Sequence, residues 1–145
     1  MFVGIQATGK SSFFRERFFR THVRINLDML RTRHREELFM RSCLDGGIPF
    51  VVDNTNPTAL ERARYVAPAR SAGSRVVGFY FESRIAAALE RNASRALEER
   101  IPERGILGTS ARLELPARSE GFDALHYVRI NPAGGFVVDD WRDEV

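Results

Sequence analysis

Short apolar runs along this chain are separated by longer segments in which apolar residues recur every three or four positions. The runs cover residues 1–3, 48–52, 75–81 and 125–130. Residues 23–26 form a short extended segment, and residues 136–138 add an edge strand or hairpin near the end. Continuous apolar runs are typical of strands buried on both faces, and helical spacing between them is typical of βα units. The pattern therefore predicts an α/β fold with a central, mostly parallel sheet and helices on both faces.

The first two helices follow from the apolar spacing. One is predicted from Ser11 to about Arg20, with Phe14 and Phe18 facing the sheet because they lie four positions apart. A second is predicted from residue 27 to about residue 44, where two glycines end it. Its expected core positions are Leu30, Leu38, Cys43 and Leu44.

Capping residues and prolines mark the later helices. Thr58 and Glu61 have the spacing of a capping box, and Pro68 is expected to kink or break the helix that follows. Ser83 is the predicted N-cap of the next helix, and Pro102 is predicted to open a short one.

One motif gives the first strand and helix a chemical meaning. Residues 4–11 read Gly-Ile-Gln-Ala-Thr-Gly-Lys-Ser, which fits the P-loop pattern between a strand and a helix. In such a loop, backbone N–H groups and the helix N-terminus surround phosphate oxygens. The motif predicts a three-layer P-loop NTPase fold, with Ser11 on Mg²⁺. The predicted nucleotide-binding residues in and after the loop are Gln6, Ala7, Thr8, Gly9, Lys10, Ser11 and Ser12.

Composition strengthens this interpretation. The chain has 22 basic residues, of which Lys10 is the only lysine. Arginine and lysine are least interchangeable inside a phosphate-binding loop, where a compact ammonium fits and a planar guanidinium does not.

The remaining bulk properties set bounds. A length of 145 residues predicts a single domain over residues 1–145. A net charge of +3 suits an anionic substrate but is too small to imply nucleic acid by itself. Cys43 is the only cysteine, which argues against a disulfide framework. No run has transmembrane length and no signal peptide precedes the first strand, so we expect a cytoplasmic protein.

Two aspartates are candidates for the chemistry. Asp53 ends an apolar strand, where open α/β sheets bind ligands, and we favour a Mg²⁺-associated carboxylate over a turn residue. Asp28 is a candidate base that accepts the proton of a substrate hydroxyl, with Arg31 one turn later to hold an acceptor phosphate or carboxylate. Asp28 also sits at a helix start, where aspartate is a routine N-cap, and the residues leave both interpretations open.

Four arginines lie within fourteen positions near the middle of the chain. Any one of them could belong to a solvated basic helix face. Their density beside a P-loop domain favours a lid whose guanidinium groups neutralise charge on transferring phosphates. These residues are Arg91, Arg95, Arg100 and Arg104.

Four stretches in order resemble a known family. They are the P-loop, Ile25-Asn26-Leu27-Asp28-x-x-Arg31, residues 51–57 (Val-Val-Asp-Asn-Thr-Asn-Pro), and Arg91-Asn92-x-x-Arg95 followed by Ile101-Pro102. Together they resemble the kinase domain of polynucleotide 5′-hydroxyl kinases and related small P-loop kinases.

The resemblance implies a phosphotransferase that uses ATP and Mg²⁺. It implies that Asp28 is the general base, that Arg31 contacts an acceptor phosphate, that Arg91 reaches the donor phosphates and that Arg95 lies near the adenine or the phosphates. Asn54 is a further predicted substrate-binding residue. The first-choice acceptor is a polynucleotide 5′-hydroxyl. A small-molecule kinase on the same fold, or a nucleotide-dependent switch that needs no base at Asp28, remains an alternative.

Overall fold

A computed structural model describes residues 1–142 of the chain and gives six strands. The strands are β1 (Phe2–Val3), β2 (Val23–Ile25), β3 (Phe50–Val52), β4 (Val77–Phe81), β5 (Ala124–Ile130) and β6 (Phe136–Asp140). A four-stranded sheet has the order β1-β4-β5-β6, and β2 pairs with β3 in a two-stranded sheet. All pairings are parallel except that of β5 with β6, so the predicted mostly parallel sheet is confirmed.

The two sheets meet just beyond the carboxyl ends of β1 and β3. The Gly4 N–H donates to the Thr55 carbonyl at 2.9 Å, and the Asn56 side-chain amide donates to the Phe2 carbonyl at 2.7 Å. These bonds bring the segment after β3 beside the segment after β1. The two loops therefore share one edge of the molecule, which is where parallel α/β sheets bind ligands.

Helices cover both faces because neighbouring residues of β1 point in opposite directions. Phe2 packs with Phe13 and Phe14 on one face, while Val3 packs with Val66 and Ala69 on the other. All six are buried. The helices are α1 (Lys10–Arg17), α2 (Leu27–Leu30), α3 (Arg33–Asp45), α4 (Ala59–Ser71), α5 (Ile85–Ala93) and α6 (Glu103–Ala111).

The prediction of a single helix from residue 27 to about residue 44 is wrong, because this segment forms two helices, α2 and α3. Arg31 adopts a positive φ of 74°, which ends α2 after one turn. Thr32 is extended, and its hydroxyl accepts the Arg35 N–H to begin α3. Within α3, Cys43 is buried as expected and Leu44 packs against the same cluster. Leu38 is exposed, because five residues separate it from Cys43 and this places it about 140° around the helix.

Three other predictions of helix ends differ from the structure, and β3 and β4 each begin two residues later than the predicted runs. The first helix ends at Arg17, three residues early, although Phe14 is buried and Phe18 packs against the same cluster. Helix α4 continues past Pro68 to Ser71, so the proline does not break it. Ser83 is not the N-cap of α5, because its hydroxyl accepts the Ile5 N–H at 3.1 Å and donates to the Phe81 carbonyl.

Other local predictions are confirmed. Thr58 and Glu61 form the capping box, α6 begins directly after Pro102, and residues 136–140 form the antiparallel edge strand. Within residues 1–142, no helix is long and apolar enough to span a bilayer.

Arg62 on α4 ties the loop after β3 to the segment that precedes β5. Its side chain is fully buried and makes a two-pronged contact with the Glu120 carboxylate at 2.6 and 2.8 Å. It also donates to the carbonyls of Asn56, Pro57 and Glu114. The guanidinium fork suits this role because one rigid group satisfies several acceptors at once.

Replacing Arg62 with alanine should destabilise the fold strongly. The change removes the Arg62 donors from the Glu120 carboxylate and from three carbonyls, and breaking a buried pair in this way costs about 3–5 kcal/mol. Urea unfolding measures the loss. Arg64→Ala, on an exposed face of the same helix, is the matched control and should change the free energy of unfolding by less than about 0.5 kcal/mol. Equal effects of the two changes would contradict a structural role for Arg62.

Candidate functional site

The P-loop turns sharply between β1 and α1. Gly9 has a φ of 93° and caps α1, which begins at Lys10. A Cβ atom at Gly9 would lie 2.9 Å from the Phe136 ring, so both the backbone angle and the space require glycine. Ala7 also has a positive φ, of 60°, which is unusual for a residue with a side chain. These two positive φ angles turn the chain from β1 into α1 within a few residues, as a P-loop requires.

Lys10 folds back over this loop. Its ammonium donates to the carbonyls of Gly4, at 2.9 Å, and of Ile5, and to the Thr8 hydroxyl at 3.3 Å. The side chain is buried, and burial lowers its pKa to about 8, with Asp53 opposing the shift and Arg95 adding to it. The loop itself therefore holds the ammonium, through its own carbonyls rather than through a carboxylate.

Ser11 and Asp53 come together from different elements. The Ser11 hydroxyl, on α1, donates at 3.1 Å to Oδ2 of Asp53, the residue that directly follows β3. Among residues 1–142, no group of three or more His, Cys, Asp or Glu side chains could hold a metal by itself. One hydroxyl and one carboxylate nevertheless fit Mg²⁺, which usually takes few protein oxygens and completes its shell with water and phosphate. Their separation matches the roughly 3 Å edge of an octahedron with metal–oxygen distances of about 2.1 Å.

Arg24 also contacts this pair, which the sequence did not indicate. Its Nη2 lies 2.7 Å from Asp53 Oδ2 and 2.9 Å from Ser11 Oγ, and its Nε donates to the same carboxylate oxygen at 2.8 Å. Arg24 is the middle residue of β2 and pairs in register with Val51 of β3. The alternation of side chains along β2 places Arg24 on the opposite face from Val23 and Ile25, but it does not indicate which residues Arg24 contacts.

Asp28 is positioned by the pairing of β2 with β3. Ile25 pairs with Val52, and the buried Asn26 amide donates to the Asp53 carbonyl while its oxygen accepts the Met29 N–H. Asn26, not Asp28, is therefore the N-cap of α2. The Asp28 side chain is exposed and makes no hydrogen bond or ion pair within the described part of the chain.

A cleft of about 510 Å³ lies beside the loop. Asp28 and Lys10 both line it, so the candidate base and the P-loop lysine face one space. Arg31 is not among its lining residues, whereas Arg15 and Arg33 are. Apart from Arg31, Arg91, Arg100 and Arg104, the residues predicted from sequence all line this cleft: Gln6, Ala7, Thr8, Gly9, Lys10, Ser11, Ser12, Asp28, Asp53, Asn54 and Arg95.

The Asn54 side chain is engaged with protein partners. Its oxygen accepts the Leu27 N–H at 2.9 Å, and its amide donates to Glu36 at 2.8 Å and to the Tyr65 hydroxyl at 3.1 Å. Glu36 is buried and also accepts from the Tyr65 hydroxyl; burial, followed by these Glu36 contacts, raises the pKa of Tyr65 to about 12. The network holds the start of α2, and therefore the backbone next to Asp28.

The arginine-bearing segment divides into two parts. Arg91, on α5, donates to the Ala7 carbonyl at 2.6 Å, and burial lowers its pKa. Helix α5 ends at Ala93, so Arg95 lies beyond it. The buried Asn92 amide exchanges two hydrogen bonds with the backbone of Ile101, which closes the segment between them into a loop. Arg95 lies on this loop and lines the cleft, whereas Arg100 and Arg104 are exposed and do not line the cleft.

Comparison with protein families agrees with this geometry. A family model described as an AAA domain matches residues 1–116, from β1 through α6. The chain belongs to the AAA domain family. That family is of the P-loop NTPase type and includes kinases, and its members generally bind nucleotide with Mg²⁺. The match ends before β5 and β6, so those strands lie beyond the matched part.

Nucleotide affinity should fall as the pH rises above about 8. Burial lowers the pKa of Lys10 to that value, so the free protein loses the ammonium there, whereas bound phosphate favours the charged form. Nucleotide binding must then be accompanied by proton uptake in this range. Titration calorimetry in two buffers of different ionisation enthalpy measures both quantities. Lys10→Met should abolish the uptake, and a wild-type affinity that stays constant to about pH 10 would contradict this role for Lys10.

Proposed function

We propose that the protein is a phosphotransferase that uses ATP and Mg²⁺ and moves the γ-phosphoryl group to a hydroxyl acceptor. One observation carries the proposal: the exposed Asp28 carboxylate and the P-loop ammonium of Lys10 line the same cleft. A nucleotide switch needs the loop but has no use for a carboxylate across from it. Membership of a family that includes kinases supports the same class of reaction.

The proposed step uses Asp28 as the base. Its carboxylate accepts the proton of the acceptor hydroxyl while the hydroxyl oxygen forms a bond to the γ-phosphorus. The bond from that phosphorus to the β–γ bridging oxygen breaks, and ADP leaves. Asp28 suits this task because its oxygens have no protein partner in the described residues and face the cleft.

Cations around the loop would stabilise the transferring charge. Lys10 is the nearest, and it reaches a phosphate by leaving the loop carbonyls that it now contacts. Arg95 approaches from the closed loop after α5, and Arg91 is held at the P-loop by the Ala7 carbonyl. Phosphoryl transfer depends mainly on such positioning and charge.

Ser11 and Asp53 are the residues that would hold Mg²⁺. When bound, the metal would neutralise phosphate charge. The protein's own contribution is to hold a hydroxyl and a carboxylate 3.1 Å apart on two different elements.

A second cleft gives the donor nucleoside a place. It measures about 460 Å³ and lies between α5 and the end of β5, and Thr8 of the loop lines both clefts. Its other lining residues include Glu82, Glu90, Arg91, Ile130 and Pro132. A nucleoside held there would leave the phosphates to the loop and the γ-phosphoryl group to the cleft that contains Asp28.

For the acceptor we propose a polynucleotide 5′-hydroxyl end, on the strength of the motif order and of the arginines Arg15 and Arg33 at the cleft. A small-molecule alcohol is the second candidate. The size of the cleft favours it, because about 510 Å³ is within the range of small-ligand sites.

Asp28→Asn should reduce turnover by about 10²–10⁴-fold, because the amide cannot accept the acceptor proton. Nucleotide affinity should stay nearly unchanged, since Asp28 contacts neither the loop nor Ser11. Transfer from γ-labelled ATP and equilibrium binding measure the two quantities. Asp45→Asn, at the exposed end of α3, is the matched control with full activity. A large loss of ATP binding in Asp28→Asn would show a structural role instead.

A panel of acceptors should separate the two acceptor classes. We expect 5′-hydroxyl DNA or RNA oligonucleotides to be phosphorylated, with acceptor affinity falling steeply as salt is added because phosphate contacts release counterions. The panel also contains common metabolite alcohols. Transfer to a metabolite with little salt dependence, and none to oligonucleotides, would favour the small-molecule kinase.

A further inference from the structure

Arg24 occupies the place where a cation would be expected. Its Nη2 lies within 2.9 Å of both Ser11 Oγ and Asp53 Oδ2, the two oxygens best suited to Mg²⁺. A metal bound to both oxygens would lie within a few ångströms of this guanidinium. Two cations at that distance repel each other strongly in a partly buried site.

The charge balance around Asp53 supports a cation role for Arg24. The Asp53 side chain is 2% exposed, and a buried carboxylate needs a compensating positive charge. Arg24 supplies this positive charge, and both its Nε and its Nη2 contact Asp53 Oδ2. Lys10 is near enough for its pKa to respond to Asp53 but donates to loop carbonyls instead.

The rest of the Arg24 side chain is held weakly. Its guanidinium lies 5.8 Å from the centre of the Phe14 ring, and Nη1 donates to the Met29 sulfur, which is a weak acceptor. The side chain is 27% exposed. A metal that takes over Ser11 and Asp53 therefore displaces Arg24 at the further cost of these weak contacts alone.

We propose that Arg24 is an internal counter-cation that competes with the divalent metal for Ser11 and Asp53. It weakens metal binding to the nucleotide-free protein and supports metal-free nucleotide binding, and so it sets how strongly nucleotide affinity depends on Mg²⁺. It is a positioning residue rather than a catalytic one. The inference deepens the proposed function and rests on it only in that the metal is one that accompanies a nucleotide.

The first test measures metal binding without nucleotide. Mn²⁺ is the probe, and electron paramagnetic resonance counts the free ion. Arg24→Gln should bind Mn²⁺ about tenfold more tightly than wild type, because the competing charge is gone. Arg20→Gln is the matched control, since Arg20 is exposed just after α1 and contacts neither oxygen; its Mn²⁺ affinity should stay within about twofold of that of wild type. Equal affinities in wild type and Arg24→Gln would overturn the proposal.

The second test measures the ratio of ADP dissociation constants without and with saturating Mg²⁺. In Arg24→Gln the ratio should rise by about tenfold or more, since metal-free binding weakens while metal-assisted binding gains. An unchanged ratio means that Arg24 is only structural, and a smaller ratio means that it assembles the metal pair; either result overturns the proposal. If wild type binds ADP in neither condition, the proposed function fails, and the Mn²⁺ measurement still decides the role of Arg24.

Asp53 is left without its partner in Arg24→Gln, so a second variant protects the test against misfolding. Arg24→Lys keeps the charge, but a single ammonium lacks the fork that reaches both oxygens. Its Mn²⁺ affinity should fall between those of wild type and Arg24→Gln. Where only Arg24→Lys folds, a Mn²⁺ affinity equal to that of wild type overturns the proposal.

Discussion

The site depends on the junction between the two sheets. The Gly4 N–H donates to the Thr55 carbonyl, and the Asn56 side-chain amide donates to the Phe2 carbonyl. These two bonds attach the end of β3 to the end of β1. Through that junction Asp53 faces Ser11, and the pairing of β2 with β3 then brings Asp28 to the same cleft. The buried Arg62 holds the outer side of the junction by binding the carbonyls of Asn56 and Pro57. Candidate chemical groups from three elements thus lie within one cleft because of a few bonds between loops.

The sequence was sufficient for the features that local rules determine. Apolar runs located the strands, and the P-loop pattern located the turn into α1. It was insufficient wherever a side chain has two possible partners. Ser83 had the right position for an N-cap but binds the P-loop backbone instead. The break at Arg31 requires a positive φ that arginine rarely adopts, so the sequence favours an unbroken helix there. The only local indication of the break is Thr32, a residue type that is common at helix N-caps.

Individual site residues show the same division. The sequence named Ser11, Asp53 and Asp28 from motif and position, and the fold brings all three to one cleft, where their roles remain predictions. It missed Arg24, because a charged residue in a short strand carries no local indication of the group it will meet. Arg31 was named from its spacing after Asp28, but the break in the helix takes it away from the lining. Strained backbone is concentrated here: all three non-glycine residues of positive φ in the described chain, Ala7, Arg31 and Asn56, lie in or next to the site loops.

The single lysine has a consequence for how the protein can be modified. All surface cations of the side chains are arginines or histidines, and the one side-chain amine is buried in the P-loop. Acylating reagents, acetyltransferases and ubiquitin ligases that attack lysine would find their only side-chain target among the carbonyls of residues 4 and 5. Any such acylation would remove the ammonium to which we assign the nucleotide phosphates, so chemistry that labels other proteins harmlessly would here remove the proposed phosphate contact.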